Sequence, residues 1–258
     1  MKEKLTIVKV GGKIVEDEAS LQRLILSFAQ MDGLRLLVHG GGRTATDVAK
    51  RLGVETVMVE GRRVTDQAML EVVTMVYGGL VNKHVVAALQ AAGINAIGLT
   101  GADMNVMLAH RRPAGRVDYG FVGDVDKADG EALARLLQSG VVPVMAPLTH
   151  DGHGQLLNTN ADTIAGETAK ALAHHFDVTL VYCFEHAGVL KDANDEESLI
   201  PTINRASFEA LVADGTVSSG MIPKIENCLQ AVEQGVARVV ITAADALGTD
   251  SGTVITQH

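Results

Sequence analysis

The chain reads as an α/β protein built on an open, mainly parallel sheet sandwiched by helices. Three observations predict this. Short apolar strand-like runs alternate with helix-period segments almost throughout the 258 residues, the pattern of successive βα units. Most of those runs are continuously apolar, as parallel strands covered on both faces are. Two of them end in glycine turns that lead directly into helices, which is how a strand hands an anion to a helix N-terminus.

Taken in order, the first strand covers Leu5–Val10 and stops at Gly11-Gly12, and a helix-period segment follows over Glu18–Gln30. A second strand, Leu34–Val38, ends at His39-Gly40-Gly41-Gly42 and feeds a helix over Arg43–Leu52. The segment Asp66–Ala91 is long for a globular helix and rich in Ala, Val, Leu and Met. Asp66 is placed to cap it and Gly78-Gly79 to bend it. It suits a central core helix and a subunit interface equally well. Strands at Asn95–Leu99, Val141–Ala146, Val178–Cys183 and Ala237–Thr242 alternate with helices at Gly130–Ser139, Asp162–His174, Ser207–Ala213 and Met221–Gln234. The stretch Met104–Asp126 stands apart. Its short β-rich pieces around Arg111-Arg112 and Tyr119–Gly123 predict a hairpin flap over a site.

Composition narrows the function. A chain that is 47% hydrophobic can bury a large core. No unbroken apolar run approaches the ~20 residues that span a bilayer, so no membrane partner is expected. The start, Met1-Lys2-Glu3-Lys4, enters a strand without a signal peptide, and Cys183 and Cys228 lack CxxC spacing. Both features predict a cytoplasmic protein with buried free thiols. A net charge of −9, short basic clusters, 3% aromatic residues and no Trp argue against nucleic acid.

The chemistry lies in four separated pieces that handle anionic oxygen. Lys9-Val10-Gly11-Gly12 puts an ammonium at the carboxyl edge of the sheet, beside backbone N–H groups free to approach a phosphate. It is no Walker A loop, because GxxxxGK[ST] occurs nowhere. His39–Gly42 resembles an esterase oxyanion run, yet the chain has no GxSxG elbow. A second anion-binding turn is the better reading, with His39 structural. Asn158-Thr159-Asn160-Ala161-Asp162 opens a helix. Asx residues there are ordinary caps, but Asp162 among two lysines would hold their ammonium groups in place. In Gly220-Met221-Ile222-Pro223-Lys224, Pro223 suits the first turn, and Lys224 sits where the helix dipole disfavours a cation. Gly61-Arg62-Arg63-Val64-Thr65 offers a carboxylate clamp without choosing between its arginines. Two lysines, two glycine turns and one aspartate suit phosphoryl transfer, where catalysis is mostly positioning and charge stabilisation.

With KxGG, HGGG, GxRVT, NxNAD and GMxxK in this order, the chain resembles the amino acid kinase family over nearly its whole length, and within it the acylglutamate branch. The resemblance implies an αβα sandwich with acylglutamate and a dimer interface in an N-terminal lobe (1–175) and ATP in a C-terminal lobe (176–258). It implies that Lys9 and Lys224 stabilise the transferring phosphoryl group and that Asp162 organises both. Gly11 and Gly12 would hold phosphate oxygens, as would Gly41 and Gly42 on the substrate side. Arg63 and Asn158 would bind the substrate's α-carboxylate. The reaction implied is ATP-dependent phosphorylation of the γ-carboxylate of an N-acyl-L-glutamate in arginine biosynthesis. Mg²⁺ would arrive on the nucleotide, with no metal site on the protein.

The chain departs from the family pattern in two places. Phe184-Glu185-His186-Ala187-Gly188 stands where relatives carry Thr/Ser-Asp-Val-x-Gly, and four residues precede the first strand. Members that form arginine-inhibited hexamers have an extra N-terminal helix, so an uninhibited homodimer is expected. Two other readings are kept: N-succinyl-L-glutamate as substrate, with Arg111-Arg112 meeting the extra carboxylate, and a non-catalytic amino-acid sensor on the same fold.

Overall fold

Each of the six apolar runs becomes a strand of one eight-stranded sheet. The computed structural model of the chain describes residues 2–184, 186–192, 195–217, 221–249 and 251–257. In sheet order the strands are Thr202–Ile203, Thr253–Ile255, Arg238–Ala243, Asp177–Phe184, Lys4–Val10, Leu34–His39, Val142–Met145 and Ala96–Leu99. Neighbours run parallel except Arg238–Ala243 against Thr253–Ile255. The two short strands at one edge escaped the sequence reading because two or three residues are too few to show a period.

Alternation along the strands sorts the core into two layers. Leu5 and Ile7 join Leu36, Leu180, Leu133, Ile164 and Leu229, beneath the helices Gly130–Gln138, Ala161–Leu172 and Ile222–Glu233. Val8 and Val10 face the other way, towards Leu24, Phe28, Ala45, Val73 and Val85 on the helices Glu18–Ala29, Gly42–Leu52 and Gln67–Ala91. The predicted sandwich is therefore present, with both faces of the parallel sheet covered.

Asp66 caps the long helix as expected, accepting from Met69 N at 2.8 Å. Where a bend was expected at Gly78-Gly79, the backbone instead widens into a π-helix over Thr74–Val81 before the α-helix resumes at Asn82. π segments inside α-helices recur at functional sites, and this one lies against a glycine turn described below. The helix is 25 residues long and holds an 18-residue window of mean hydropathy 1.4, enough in length and composition to cross a bilayer. Run length had hidden this, because Asn82, Lys83 and His84 interrupt the apolar stretch. Val72, Val73, Val76, Val81, Val85 and Leu89 are buried in the second core layer.

The Met104–Asp126 excursion forms the expected hairpin, Met107–Arg111 against Gly123–Ala128. It is not a free flap. Its strands belong to a four-stranded sheet with Leu148–His150 and Leu156–Asn158. Further out, Thr65 N–H donates to Tyr119 O at 2.9 Å and Phe121 N–H to Thr65 O at 2.7 Å. Gly120, at φ +72°, lets the strands meet: a Cβ there would lie 2.2 Å from Thr65 O. Pairing over such sequence distances leaves no local signal. Cys183 and Cys228 are free and buried, and burial pushes both thiols up to about 12.

Candidate active site

The carboxyl ends of Lys4–Val10 and Leu34–His39 release the two glycine turns side by side. Gly40 N–H donates to Val10 O at 3.0 Å. A Cβ on Gly40 would stand 3.2 Å from Gly12 N, and one on Gly41 3.1 Å from the Tyr77 ring in the π segment. Glycine is needed because backbone lies against backbone. The helices that follow are tied as well: Glu16 Oε1 accepts from Thr44 N at 2.8 Å and Thr44 Oγ1 at 2.9 Å.

Lys9 shares the strand face of Leu5 and Ile7, so alternation points it at the helices Ala161–Leu172 and Ile222–Glu233. It is buried, with 8% exposure, and its ammonium lies 2.6 Å from Asp162 Oδ1. Such burial is tolerable only because the charge is paired. Asp162 stands in the first turn of its helix, where the dipole favours a carboxylate. Asn160 caps that helix, accepting from Asp162 N at 2.7 Å and Thr163 N at 3.4 Å, and Tyr182 Oη donates to Asp162 O at 3.1 Å. Lys224 enters from the first turn of Ile222–Glu233, after Pro223. Both ammonium groups face one ring: Phe184 lies with its centroid 5.6 Å from Lys9 Nζ and 4.6 Å from Lys224 Nζ. The ring stacks on Tyr182 at 6.1 Å and 17°.

Asp162 and Lys224 border a cleft of about 470 Å³, within the usual range for small-molecule sites. Gly41, Gly42, Arg63, Asn158, Asp162 and Lys224 line it; Lys9, Gly11 and Gly12 do not. Lys9 reaches it through its ion pair with Asp162, and Gly12 stands behind Gly40. Among the described residues no Gly41 or Gly42 N–H has a protein partner. No group of His, Cys, Asp and Glu among them is arranged to hold a metal.

Arg63 sits on a two-residue strand, Arg62–Arg63, that pairs with Met58–Val59 through a turn in which Glu60 and Gly61 both have positive φ, 50° and 75°. It is buried and Arg62 exposed, and both line the cleft. Arg63 Nη2 donates to Gly42 O at 2.8 Å and Thr46 Oγ1 at 2.9 Å, and Nη1 to Thr56 Oγ1 at 3.4 Å. Much of the fork therefore braces the glycine turn. Asn158 Nδ2 donates to Thr65 Oγ1 at 2.9 Å, and among the described residues its Oδ1 has no partner.

The flap arginines part company. Arg111 turns outward to Gly120 O and Asp118. Arg112 lines the cleft, gripped by Asp124 through Nε, at 3.0 Å, and Nη2. That hydrogen bonding holds the Asp124 carboxyl below the usual carboxylate range. Among the described residues the Arg112 Nη1 has no hydrogen-bond partner, and it is buried.

The sequence profile of the amino acid kinase family matches residues 4–243. The chain belongs to the amino acid kinase family. It is 63% identical to the acetylglutamate kinase of Bacteroides fragilis over 255 residues, 99% of this chain and 98% of that one. It is 64% identical to the acetylglutamate kinase of Bacteroides thetaiotaomicron over 255 residues, 99% of each. Among solved structures, smu.665 from Streptococcus mutans superposes with a TM-score of 0.80 at 27% identity, covering 98% of this chain and 99% of the other.

Of the residues singled out from the sequence, Asp162, Lys224, Gly41, Gly42, Arg63 and Asn158 come together at one cleft, with Lys9 paired to Asp162 behind it. The sequence reading missed Phe184, Tyr182 and Glu16. Phe184 was visible as a departure from the family pattern at a strand's carboxyl end, but nothing local said that both lysines would converge on it. Gly220 of the GMxxK motif and Glu185 of the departing run lie outside the described residues.

Proposed function

We propose that this cleft transfers the γ-phosphoryl group of ATP to the γ-carboxylate of N-acetyl-L-glutamate, giving an acyl phosphate for arginine biosynthesis. The observation that carries the reading is the meeting of three groups: Lys9 in its 2.6 Å pair with Asp162, and Lys224 across the same Phe184 ring. Two ammonium groups held at one point can neutralise charge on equatorial phosphoryl oxygens, and no general base is needed because a carboxylate is already ionised. Asp162 positions the lysines. The Gly41 and Gly42 N–H groups face the transferring phosphoryl group, with Gly11 and Gly12 on the nucleotide's phosphates. Arg63 and Asn158 take the substrate's α-carboxylate.

In this reading residues 1–175 bind the acylglutamate and residues 176–258 the nucleotide, and Mg²⁺ comes with ATP, neutralising its phosphates. The enzyme works in the cytoplasm as a homodimer. The exposed Met75 and Leu80 on the long helix, and Ile97 on the sheet-edge strand Ala96–Leu99, support a subunit contact there. Gel filtration at micromolar concentration checks this, and a monomer would remove it. A non-catalytic sensor would have no use for all three of Lys9, Asp162 and Lys224.

Hydroxylamine trapping of the acyl phosphate with Mg-ATP tests the reaction, comparing N-acetyl-L-glutamate, N-succinyl-L-glutamate and L-glutamate. Preference for the acetylated substrate is expected. Lys224→Ala should cost ~10²-fold or more in turnover, since it removes a transition-state charge contact. Folded protein that binds ATP yet turns over none of the three would sink the proposal.

A further inference from the structure

His39 is fully buried at the head of the second glycine turn, with no access to the cleft. Its Nδ1 lies 2.6 Å from Gly40 O and its Nε2 3.1 Å from Asn82 Nδ2. A carbonyl oxygen can only accept, so Nδ1 carries the proton. Asn82 Nδ2 can only donate, so Nε2 is the bare nitrogen. The amide direction of Asn82 is fixed in turn, for Nδ2 also donates to Val144 O at 3.0 Å and Oδ1 accepts from Lys83 Nζ at 3.0 Å. Every donor and acceptor along this path has its partner, and each assignment demands the next.

We infer that His39 and Asn82 form a positioning pair that orients the Gly40–Gly41 peptide and thereby aims the Gly41 N–H into the cleft. The inference rests on the proposed role of that N–H towards the phosphoryl group. In a planar trans peptide the C=O and the following N–H point in opposite directions. Holding Gly40 O on the buried His39 therefore turns Gly41 N–H away from the core, towards the cleft that Gly41 lines. The other side of Gly40 is fixed too, its N–H donating to Val10 O at 3.0 Å. A glycine turn has no side chains to hold its shape, and without such anchors its peptides could flip. Asn82 opens the α-helical segment that follows the π stretch, and Tyr77 and Val81 of that stretch wall Gly41. The pair thus ties the turn to the long helix. Burial keeps the imidazole neutral, pushing its pKa down to about 4. A protonated ring would set an Nε2–H against the Asn82 amide N–H.

The first test uses the wild-type chain. Nitrogen NMR on histidine-labelled protein should show His39 as the neutral Nδ1–H tautomer at about pH 7. An Nε2–H tautomer, or an imidazolium, overturns the inference. The second test separates the two hydrogen bonds. His39→Asn puts an amide N–H near the Nδ1 position and keeps a donor for Gly40 O, whereas His39→Gln reaches only towards Asn82. The Asn variant should retain kcat within ~10-fold and the Gln variant lose ~10²-fold, the range seen when one oxyanion donor is misplaced, with KM for the carboxylate substrate changing far less. Equal losses in both folded variants, or losses confined to KM, would refute the positioning role. If neither variant folds, the wild-type tautomer still decides. Absence of wild-type turnover would count against the proposed reaction alone, since the tautomer reports on the pair independently.

Discussion

Asp162→Asn changes one charge at the centre of the site while keeping the side chain's size. At 2.6 Å from Lys9 Nζ, the Coulomb attraction is about 6 kcal/mol at an effective dielectric of ~20. Much of this is offset by desolvation. The Lys9 side chain is 10% exposed and that of Asp162 31%, so water screens the carboxylate more than the ammonium. Removing one partner of a buried pair costs ~3–5 kcal/mol, and the exposure of Asp162 places this case at or below the lower end, about 2–3 kcal/mol. For a chain of this size each kcal/mol moves Tm by ~2–4 °C, so a fall of roughly 5–10 °C is expected in a thermal melt. Catalysis should suffer separately. An unpaired Lys9 loses its fixed direction, and kcat for acyl phosphate formation should drop ~10²-fold. KM for ATP should stay level or fall, because the lost carboxylate faced the polyphosphate. A variant with kcat within threefold of wild type and an unchanged Tm would refute the view that Asp162 holds the lysine in place.

Three further outcomes follow from the geometry. His39 is depressed to about 4 by burial, so below about pH 6.5 the unfolded chain binds a proton that the folded chain refuses. That share of stability is full above this pH and is lost as pH falls towards 4, about 2 kcal/mol between pH 7 and 5. Denaturant titration should show it, and a His39→Asn curve that falls as steeply would refute it. Phe184→Leu removes the ring shared by Lys9 and Lys224, at ~0.5–1 kcal/mol per cation–π contact. Steady-state kinetics should show a several-fold lower kcat, Phe184→Tyr restoring most of it; an active Leu variant would dismiss the ring. Gly41→Ala sets a Cβ 3.1 Å from Tyr77 at a φ of +157°. It should cost more than tenfold in kcat/KM with little change in the helical circular dichroism signal, and wild-type kinetics would show that the turn has slack.

The sequence was most legible where chemistry and local structure coincide. Lys9, the glycine turns, Asn160 with Asp162, and Pro223 with Lys224 all lie at strand or helix ends, which leave marks in single stretches of chain. Spacing alone narrowed the clamp to Arg62 and Arg63, and only the family resemblance pointed to Arg63, because its burial depends on Gly42 and Thr46, some twenty residues away. The flap was legible as a hairpin, but its ties to Thr65 and Leu148–His150 were not, because they are long-range. The π segment was mistaken for a bend: Gly78-Gly79 marks a weak point in a helix but not which way the backbone relaxes.

Strand alternation explains why one stretch can serve both halves of the site. Odd positions of Lys4–Val10 face the helices that carry Asp162 and Lys224, and even positions face the helices that follow the glycine turns. Lys9 and Val10 therefore point to opposite layers although they are adjacent. The lysine meets its carboxylate on one side, while the Val10 carbonyl, in the plane of the sheet, anchors Gly40 next to it. A one-residue slip would exchange the two faces, burying Lys9 among Val8's partners near Ala45 and Val73 and away from Asp162. The register Lys9↔Tyr182 and Lys9↔Val38 forbids this, because Leu5 and Ile7 would have to leave the core layer they fill. Packing of apolar residues four and two positions upstream thus fixes the direction of the charge. A polar substitution at Ile7 should disturb the placement of Lys9 as well as stability.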